Sequence, residues 1–289
     1  MTRALGQVYG ADRTFAVPIL AFLAMCGGRA EAWRQVPPLP FLLALFPQGA
    51  YRFLRLHVVS YALPVLIAVG LCRLLCAARS RGGWVWGRLF AGPLLRRLER
   101  LQPRHGGFLD AVPLTAFVCL ALRHAGYGEH PVARRGLAFL RQAARADGSW
   151  AIDSNLRTWV TSLAARGVAG ALDAAGREQV AGWLLRTQLK GRHPFTGARP
   201  GGWAWTDLPG GVPDADDTSG ALVALRRLRD AGCAAAMEAS VRSGIAWLLG
   251  VQNADGGMPT FCRGWGRLPF DRSCPDISAH ALAALAAWR

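Results

Sequence analysis

Lysine is almost absent from this chain of 289 residues: of its 34 basic residues only Lys190 is a lysine, and the other 33 are arginine. Acidic residues are also few, 18 in number, so the formal net charge is +16. The arginine bias has two possible explanations, and both stay open. One is a skewed genome composition, and the other is a basic surface that attracts anionic partners. No basic helix with nucleic-acid motif spacing appears, which argues against DNA or RNA as a partner. An anionic membrane surface suits the charge better.

Other absences narrow the class of protein. Low-complexity tracts are missing, and 52% hydrophobic with 18% charged residues excludes a disordered chain. Strand-like alternation is scarce. The seven cysteines lack the paired spacing of a disulfide framework or a zinc knuckle, so we expect buried free thiols in a reducing compartment. A globular, core-rich chain remains.

The sequence contains no clear leader or membrane span. Asp12, Arg13 and Pro18 interrupt the first apolar stretch, so we expect no cleavable signal peptide. Residues 56–72 are at the short edge of the roughly 17–25 residues that a span needs, and Pro64 weakens this segment further. A buried or membrane-dipping helix is favoured there.

A repeated pattern from about residue 94 onward indicates the fold class. Each copy has an apolar helix, a glutamine, a few polar residues and then Gly-x-aromatic, and the copies end at Phe108, Trp150, Trp203 and Met258. In the second copy Ala144 takes the place of the glutamine, and in the fourth Met258 takes that of the aromatic residue. Helix pairs joined by tight glycine turns have this kind of period, so the sequence predicts an all-α protein of α/α repeats.

Three acidic residues stand together in the run Pro213-Asp214-Ala215-Asp216-Asp217-Thr218, directly before an apolar helical segment. Acidic side chains in the first turn of a helix interact favourably with the helix dipole, and each stabilises the helix by some tenths of a kcal/mol. Helix capping alone is therefore one interpretation of this run. The other uses their crowding, because like charges in a partly buried site leave one carboxyl protonated. Such a carboxyl can act as a general acid.

His280 is the candidate partner of these acids. Asp276 and His280 are spaced i,i+4 and share a helix face, so Asp276 is expected to orient the ring while the other ring nitrogen faces the acidic run. An imidazolium there would strengthen the acid. An ordinary local helix pair is the alternative interpretation.

Together these segments resemble the squalene-hopene cyclase family. The resemblance is carried by residues 147–159, by Gly201-Gly-Trp-Ala-Trp205 with the acidic run, and by Asp276-Ile-Ser-Ala-His280. Residues 8–15 and 36–40 also resemble family segments, so the resemblance extends through nearly the whole chain. It implies a toroid of α/α barrels, with residues 1–153 as the C-terminal part of the N-terminal-type barrel and residues 154–289 as the first half of the catalytic barrel.

The resemblance also implies a reaction. Proteins of this family protonate a terminal double bond of squalene, or of a related polyprenoid, and guide the cation through ring closures without a metal or other cofactor. Asp216 would donate the proton, Asp214 and Asp217 would tune it, and His280, held by Asp276, would polarise it. The remaining implied residues are Arg13 as a support of this network and Trp159, Trp205 and Phe261 as rings that stabilise the cation.

Family members are longer at both ends, so the second barrel is expected to lack its other half. We expect a truncated cyclase, or one half of a split enzyme completed by a complementary chain. The resemblance further implies a peripheral, monotopic protein on the cytoplasmic side of the inner membrane, bound to the lipid surface.

Two alternatives stay open beside the cyclase. One is the related barrel of protein prenyltransferase β subunits, for which Asp271, Cys274 and His280 offer zinc ligands, although their spacing is wrong for that family. The other is a non-catalytic α/α fragment that binds lipid or a partner chain through its exposed apolar surface.

Overall fold

The computed structural model describes residues 13–289 apart from 28–29, 38–40, 47–49, 51–52, 54–62, 78–80, 154, 194–196, 209–210, 230–233 and 261–271. The chain divides into two compact units, one made of Met1–Pro47 with Tyr61–Ser154 and the other of Gln48–Ser60 with Asn155–Arg289. The predicted identity of residues 1–153 as part of an N-terminal-type barrel stays a prediction.

The first unit is built from helices. They are α1 (Arg13–Gly27), α2 (Ala30–Trp33), α3 (Leu63–Ala77), α4 (Arg81–Leu101), α5 (Val112–His124) and α6 (Pro131–Ala143), with 3-10 turns at Phe41–Leu45 and Phe108–Asp110. Proline stands in the first turn of α5 and of α6, where its missing N–H costs nothing. Helix α3 packs against α4 and α5, and α5 packs against α6. Leu98, Val118 and Leu122 are fully buried between them.

The second unit carries the acidic run. Its elements are α7 (Arg157–Val168), a 3-10 turn at Ala169–Ala171, α8 (Ala174–Thr187), α9 (Ala215–Arg227), α10 (Ala234–Val251), strands β1 (Met258–Pro259) and β2 (Ser273–Cys274), and α11 (Pro275–Ala287). Helix α9 is central: nine of its 13 residues are buried, and it packs against α7 on one side and α11 on another. The acidic run begins the most enclosed helix of this unit.

Helices dominate both units, and the described part of the chain contains no strands beyond the antiparallel pair β1 and β2. The predicted all-α fold class is therefore confirmed. Among the described residues, no helix combines the length and the apolar composition that a membrane crossing requires. Of the segment 56–72, residues 56–62 lie outside the described residues and the remainder begins α3.

The repeated glutamine acts as a clamp between its own turn and the second helix after that turn. The side-chain amide of Gln102 donates to the carbonyls of Gly106 and Val132, at 2.8 and 2.9 Å. Gln188 repeats this arrangement with Gly201 and Ser240, also at 2.8 and 2.9 Å. Each amide closes its turn and fixes α6 or α10 to it, which explains why a glutamine recurs at this place in the sequence.

Glycine is required at one position of the third turn. Gly201 has a φ of +118°, and a Cβ atom there would lie 2.6 Å from the carbonyl oxygen of Ser243. Both the left-handed backbone and the close approach exclude a side chain.

A hydroxyl in the next helix completes three of the turns. The backbone N–H of Phe108 donates to Thr115 Oγ1 at 2.9 Å, and that of Trp203 donates to Thr218 Oγ1 at 3.0 Å. In the fourth copy the N–H of Met258 donates to Ser278 Oγ at 2.8 Å. Each hydroxyl belongs to the fourth residue of its helix, so these turns fix the start of α5, α9 and α11.

The second copy keeps only part of this design. Trp150 is half exposed, yet its indole N–H donates to the carbonyl of Leu140 at 2.8 Å, as that of Trp203 donates to Leu184 at 2.7 Å. The indole bond therefore survives where the glutamine has become Ala144.

Candidate active site

The third turn positions the acidic run at the start of α9. The N–H of Asp214 donates to the carbonyl of Trp203 at 3.0 Å, and the side chain of Asp214 caps the helix by accepting from the N–H of Asp217 at 2.7 Å. Thr218 holds the same turn from the other side through the N–H of Trp203. Capping, the simpler interpretation of these acids, is therefore correct for Asp214.

Asp214 and Asp217 form a buried pair of carboxyls, each only 4% exposed. Burial, followed by the charge of Asp217, raises the pKa of Asp214 well above its ordinary range. Burial also raises the pKa of Asp217, to about 6, although the hydrogen bond from Asp214 lowers it. Both shifts favour a protonated carboxyl within the pair, and the hydrogen bond between the two raises the pKa of Asp214 and lowers that of Asp217, so Asp214 is the donor.

One oxygen of this pair is unsatisfied. Asp217 Oδ1 is buried and has no hydrogen-bond partner among the described residues. An unpaired carboxylate oxygen in a buried place is costly, which adds to the preference of the pair for a protonated state.

Asp216 faces away from this pair and contacts His280. Its Oδ1 lies 2.6 Å from Nδ1 of the imidazole. The Asp216 side chain is 36% exposed and that of His280 20% exposed, so this acid is the one of the three that an external molecule can reach. The structure thus separates a buried, proton-holding pair from an accessible acid in contact with an imidazole.

Close helix packing brings His280 to the acid. Gly220, in the middle of α9, lies where a Cβ atom would meet Ser162 Oγ of α7 at 3.0 Å and His280 Cε1 of α11 at 3.7 Å. The absence of a side chain there lets α7 and α11 approach α9 together. One turn beyond Ser162, Arg166 places Nη1 at 3.1 Å from Nε2 of His280.

Asp276 does not hold the histidine ring. Its exposed carboxylate accepts from Cys274 Sγ at 2.7 Å, a bond that also lowers the pKa of Asp276. Both nitrogens of His280 are occupied by other groups, Asp216 at Nδ1 and Arg166 at Nε2. The expectation of an Asp276–His280 contact is therefore wrong, because the carboxylate turns back to the start of its own helix.

The predicted zinc ligands are not assembled either in what the structure describes. The thiol of Cys274 is bound to Asp276 and His280 contacts Asp216, while Asp271 lies outside the described residues. Among described residues, no three His, Cys, Asp or Glu side chains converge as a metal site would require.

Two of the predicted aromatic residues meet at the start of α7. The carbonyl of Trp205 accepts from the N–H groups of Thr158 and Trp159, at 3.1 and 3.4 Å, so the segment after Trp203 caps this helix. The ring of Trp159 is 40% exposed. Phe261 lies outside the described residues, as does the side chain of Arg13, whose backbone begins α1. The roles of these four residues stay predictions.

The sequence interpretation missed Arg166, Gly220 and the clamping Thr218. Arg166 follows Trp159 by seven residues, a helical spacing that places both on one face of α7, and this signal was available. Gly220 stands inside an apolar helical run, where a glycine often marks a close approach.

Comparison with known proteins finds similar sequences among terpene cyclases. Residues 156–288 match the squalene-hopene cyclase C-terminal domain. The chain is 34% identical over 152 residues to a terpene cyclase-glycosyl transferase fusion protein of Humicola fuscoatra, covering 46% of this chain and 11% of that protein. It is 25% identical over 200 residues to the sporulenol synthase of Bacillus subtilis (strain 168), covering 61% of this chain and 30% of that enzyme. The chain thus spans less than a third of the length of either relative.

Proposed function

We propose that this chain, which belongs to the squalene-hopene cyclase family through residues 156–288, is a class II terpene cyclase that starts its reaction by protonating a double bond of a linear polyprenoid. Asp216 is the proton donor. The substrate we propose is squalene or a polyprenoid of similar chemistry.

The contact between Asp216 and His280 carries this proposal. A proton donor must be reachable by the substrate, and Asp216 is the exposed member of the three acids. A hydrogen bond from the imidazole at 2.6 Å stabilises the carboxylate that remains after proton transfer. The start of α9 adds the positive end of a helix dipole beside that carboxylate.

The proposed step is a simple addition. The acidic proton of Asp216 moves to one alkene carbon, the π electron pair forms the new C–H bond, and a carbocation remains on the other carbon. The next double bond attacks this cation and closes a ring. The last cation either loses a proton to solvent or takes up water and then loses a proton to solvent. Asp216 regains a proton from solvent, which restores the site, and the proton lost at the end balances the one donated at the start.

Asp214 and Asp217 support this step through their shared charge state. Because they share a proton and are buried, they place less negative charge next to Asp216 than two ionised carboxylates would. We propose Trp159 and Trp205 as the rings that face the cation, since an aromatic face attracts positive charge.

The test is incubation of the purified chain with detergent-dispersed squalene and shorter linear polyprenoids, followed by mass analysis of the extracted lipids. We expect a cyclic product with the same mass as the substrate, or that mass plus water. Asp216→Asn keeps the shape of the side chain but has no acidic proton, so turnover should fall by at least about a thousandfold.

A matched control is Asp207→Asn, which removes an acid of the same unit that pairs with Arg157 at 3.4 Å. It should leave turnover unchanged. Equal turnover by wild type and Asp216→Asn, or the absence of any cyclic product from all substrates, contradicts the proposal.

We also propose that the chain binds to the surface of an anionic membrane. Val85, Trp86 and Leu89 are more than half exposed on one face of α4, and the ring of Trp86 stacks on Phe90 at 6.0 Å. An apolar helix face that includes tryptophan, in a chain with a net charge of +16, is typical of interfacial binding.

A second candidate function is binding of lipid or of a complementary chain without catalysis. Exposed apolar side chains on α7 and α11 favour it, since Val160 is 53% and Leu282 is 66% exposed. Squalene that binds and is recovered unchanged would support this candidate.

A further inference from the structure

We infer that Arg166 is a positioning residue of the acid site, which acts through His280 by fixing the ring tautomer that donates a hydrogen bond to Asp216. This inference rests on the proposed function for its catalytic consequence. The juxtaposition itself, in which a guanidinium and a carboxylate contact the two nitrogens of one imidazole, belongs to the structure.

The hydrogen-bonding chemistry of the two groups determines the tautomer. A guanidinium has N–H donors and no acceptor, so Nη1 of Arg166 at 3.1 Å requires a lone pair on Nε2 of His280. A neutral imidazole has one N–H and one lone pair, and its proton must then be on Nδ1. Nδ1 is the atom that lies 2.6 Å from Asp216 Oδ1, so the ring donates to the acid.

The opposite tautomer would work against the reaction. With its proton on Nε2, the ring would present a lone pair to Asp216 and accept the acidic proton instead of leaving it for the substrate. Arg166 prevents this by making an Nε2–H unfavourable. Its effect on Asp216 passes entirely through the imidazole.

This differs from the expectation for Asp276. A carboxylate at Nε2 of His280 would require an N–H on Nε2. Since Nδ1 would also donate an N–H to Asp216, both nitrogens would carry a proton and the ring would be an imidazolium. A guanidinium at the same place requires a lone pair and therefore a neutral ring. No carboxylate pairs with Arg166 within the described part of the chain, so its charge stays directed at His280.

The fold gives Arg166 a defined position. It stands on α7 one turn beyond Ser162, and Ser162 meets the backbone of α9 at Gly220. The hydroxyl of Ser162 donates to the carbonyl of Trp159 at 2.9 Å, within the same helix. A helix that packs this closely against α9 carries the guanidinium to the far side of the imidazole.

The direct test reads the tautomer by nitrogen NMR of the full chain labelled with 15N-histidine. The chain has six histidines, and loss of one signal pair in His280→Gln assigns the ring of interest. At about pH 8, where an ordinary histidine is neutral, the wild-type ring should show a protonated Nδ1 and an unprotonated Nε2. In Arg166→Met the proton should move to Nε2 or divide between the two nitrogens.

Arg166→Lys retains a cationic donor and should keep the wild-type tautomer at least in part. Arg157→Met removes an exposed arginine from the other end of α7 and should change nothing. In the cyclisation assay, Arg166→Met should lower kcat by roughly tenfold and leave KM unchanged, because the residue touches no substrate.

A wild-type ring protonated on Nε2 overturns the inference, and so does an Arg166→Met ring with the wild-type tautomer. The NMR result does not depend on turnover. If the tautomer changes as expected and no variant cyclises any polyprenoid, the positioning of His280 stands and only the proposed function fails.

Discussion

The buried pair of carboxyls makes the stability of the second unit depend on pH. Asp217 has a pKa of about 6 in the folded chain, against an ordinary value of about 4. The folded state therefore binds this proton more tightly than the unfolded chain does. The resulting stabilisation is fully present below about pH 4 and is lost as the pH rises through about 6.

The magnitude follows from the same values. A tenfold change in proton affinity corresponds to about 1.4 kcal/mol, so ionising Asp217 in the folded state costs about 3 kcal/mol. Asp214, whose pKa burial raises in the same direction, adds to this loss. We expect the free energy of unfolding to fall by about 3 kcal/mol or more between about pH 4 and pH 7.

The assay is urea unfolding followed by tryptophan fluorescence at a series of pH values. The double variant Asp214→Asn with Asp217→Asn should remove this part of the pH dependence while keeping the helix cap, since asparagine caps as well as aspartate does. Asp207→Asn, at an exposed acid, should retain the full fall. A wild-type stability that is flat or rises over this range, or a double variant with the wild-type slope, would refute the reasoning.

Two further predictions concern the glutamine clamp and the exposed face of α4. Gln188→Leu loses two side-chain hydrogen bonds and leaves the buried carbonyl of Gly201 without this partner, so it should reduce the free energy of unfolding by about 2–4 kcal/mol, measured by urea unfolding. Arg242→Met, which loses an exposed bond to Glu238, should lower it by less than about half of that, and equal losses would contradict the clamp. Replacing both Trp86 and Leu89 by serine should weaken binding to vesicles of anionic phospholipid at least about tenfold in a flotation assay. Ile152→Ser, at an exposed side chain outside α4, should not weaken it. Equal binding by the wild type, the double variant and Ile152→Ser would contradict the membrane proposal.

The repeat and the acidic run were readable from the sequence because each depends on local chemistry. Four ordered turns, two of which keep both the glutamine and the aromatic residue, predict helix pairs. The structure adds the reason, since Gln102 and Gln188 each connect their turn to the second helix after it. The pairing of His280 with the acidic run was also predicted, although 64 residues separate His280 from Asp216. The i,i+4 spacing of Asp276 and His280 suggested that partner, and the resemblance to a family supported it.

The division of the three acids was not readable from the sequence. Spacing alone cannot tell which of Asp214, Asp216 and Asp217 points into the core, because that depends on the packing of α9 between two other helices. The same limit explains the error at Asp276: an i,i+4 spacing permits a contact with His280, but Cys274 offers a nearer donor. Arg166 lies 114 residues before His280, on a different helix, and no local sequence pattern links Arg166 to His280.

The cap formed by Asp214 has a consequence for how such genes change over generations. Asp214 starts α9 and Thr218 fixes the third turn, so selection for a folded protein alone is enough to preserve both residues after any catalysis has ceased. Asp216 neither caps a helix nor fixes a turn, because its side chain contacts His280. Among descendants of an inactive ancestor, the acidic motif should therefore decay from its middle position first. In genome surveys the residue at position 216, rather than the motif as a whole, is the informative marker of retained chemistry.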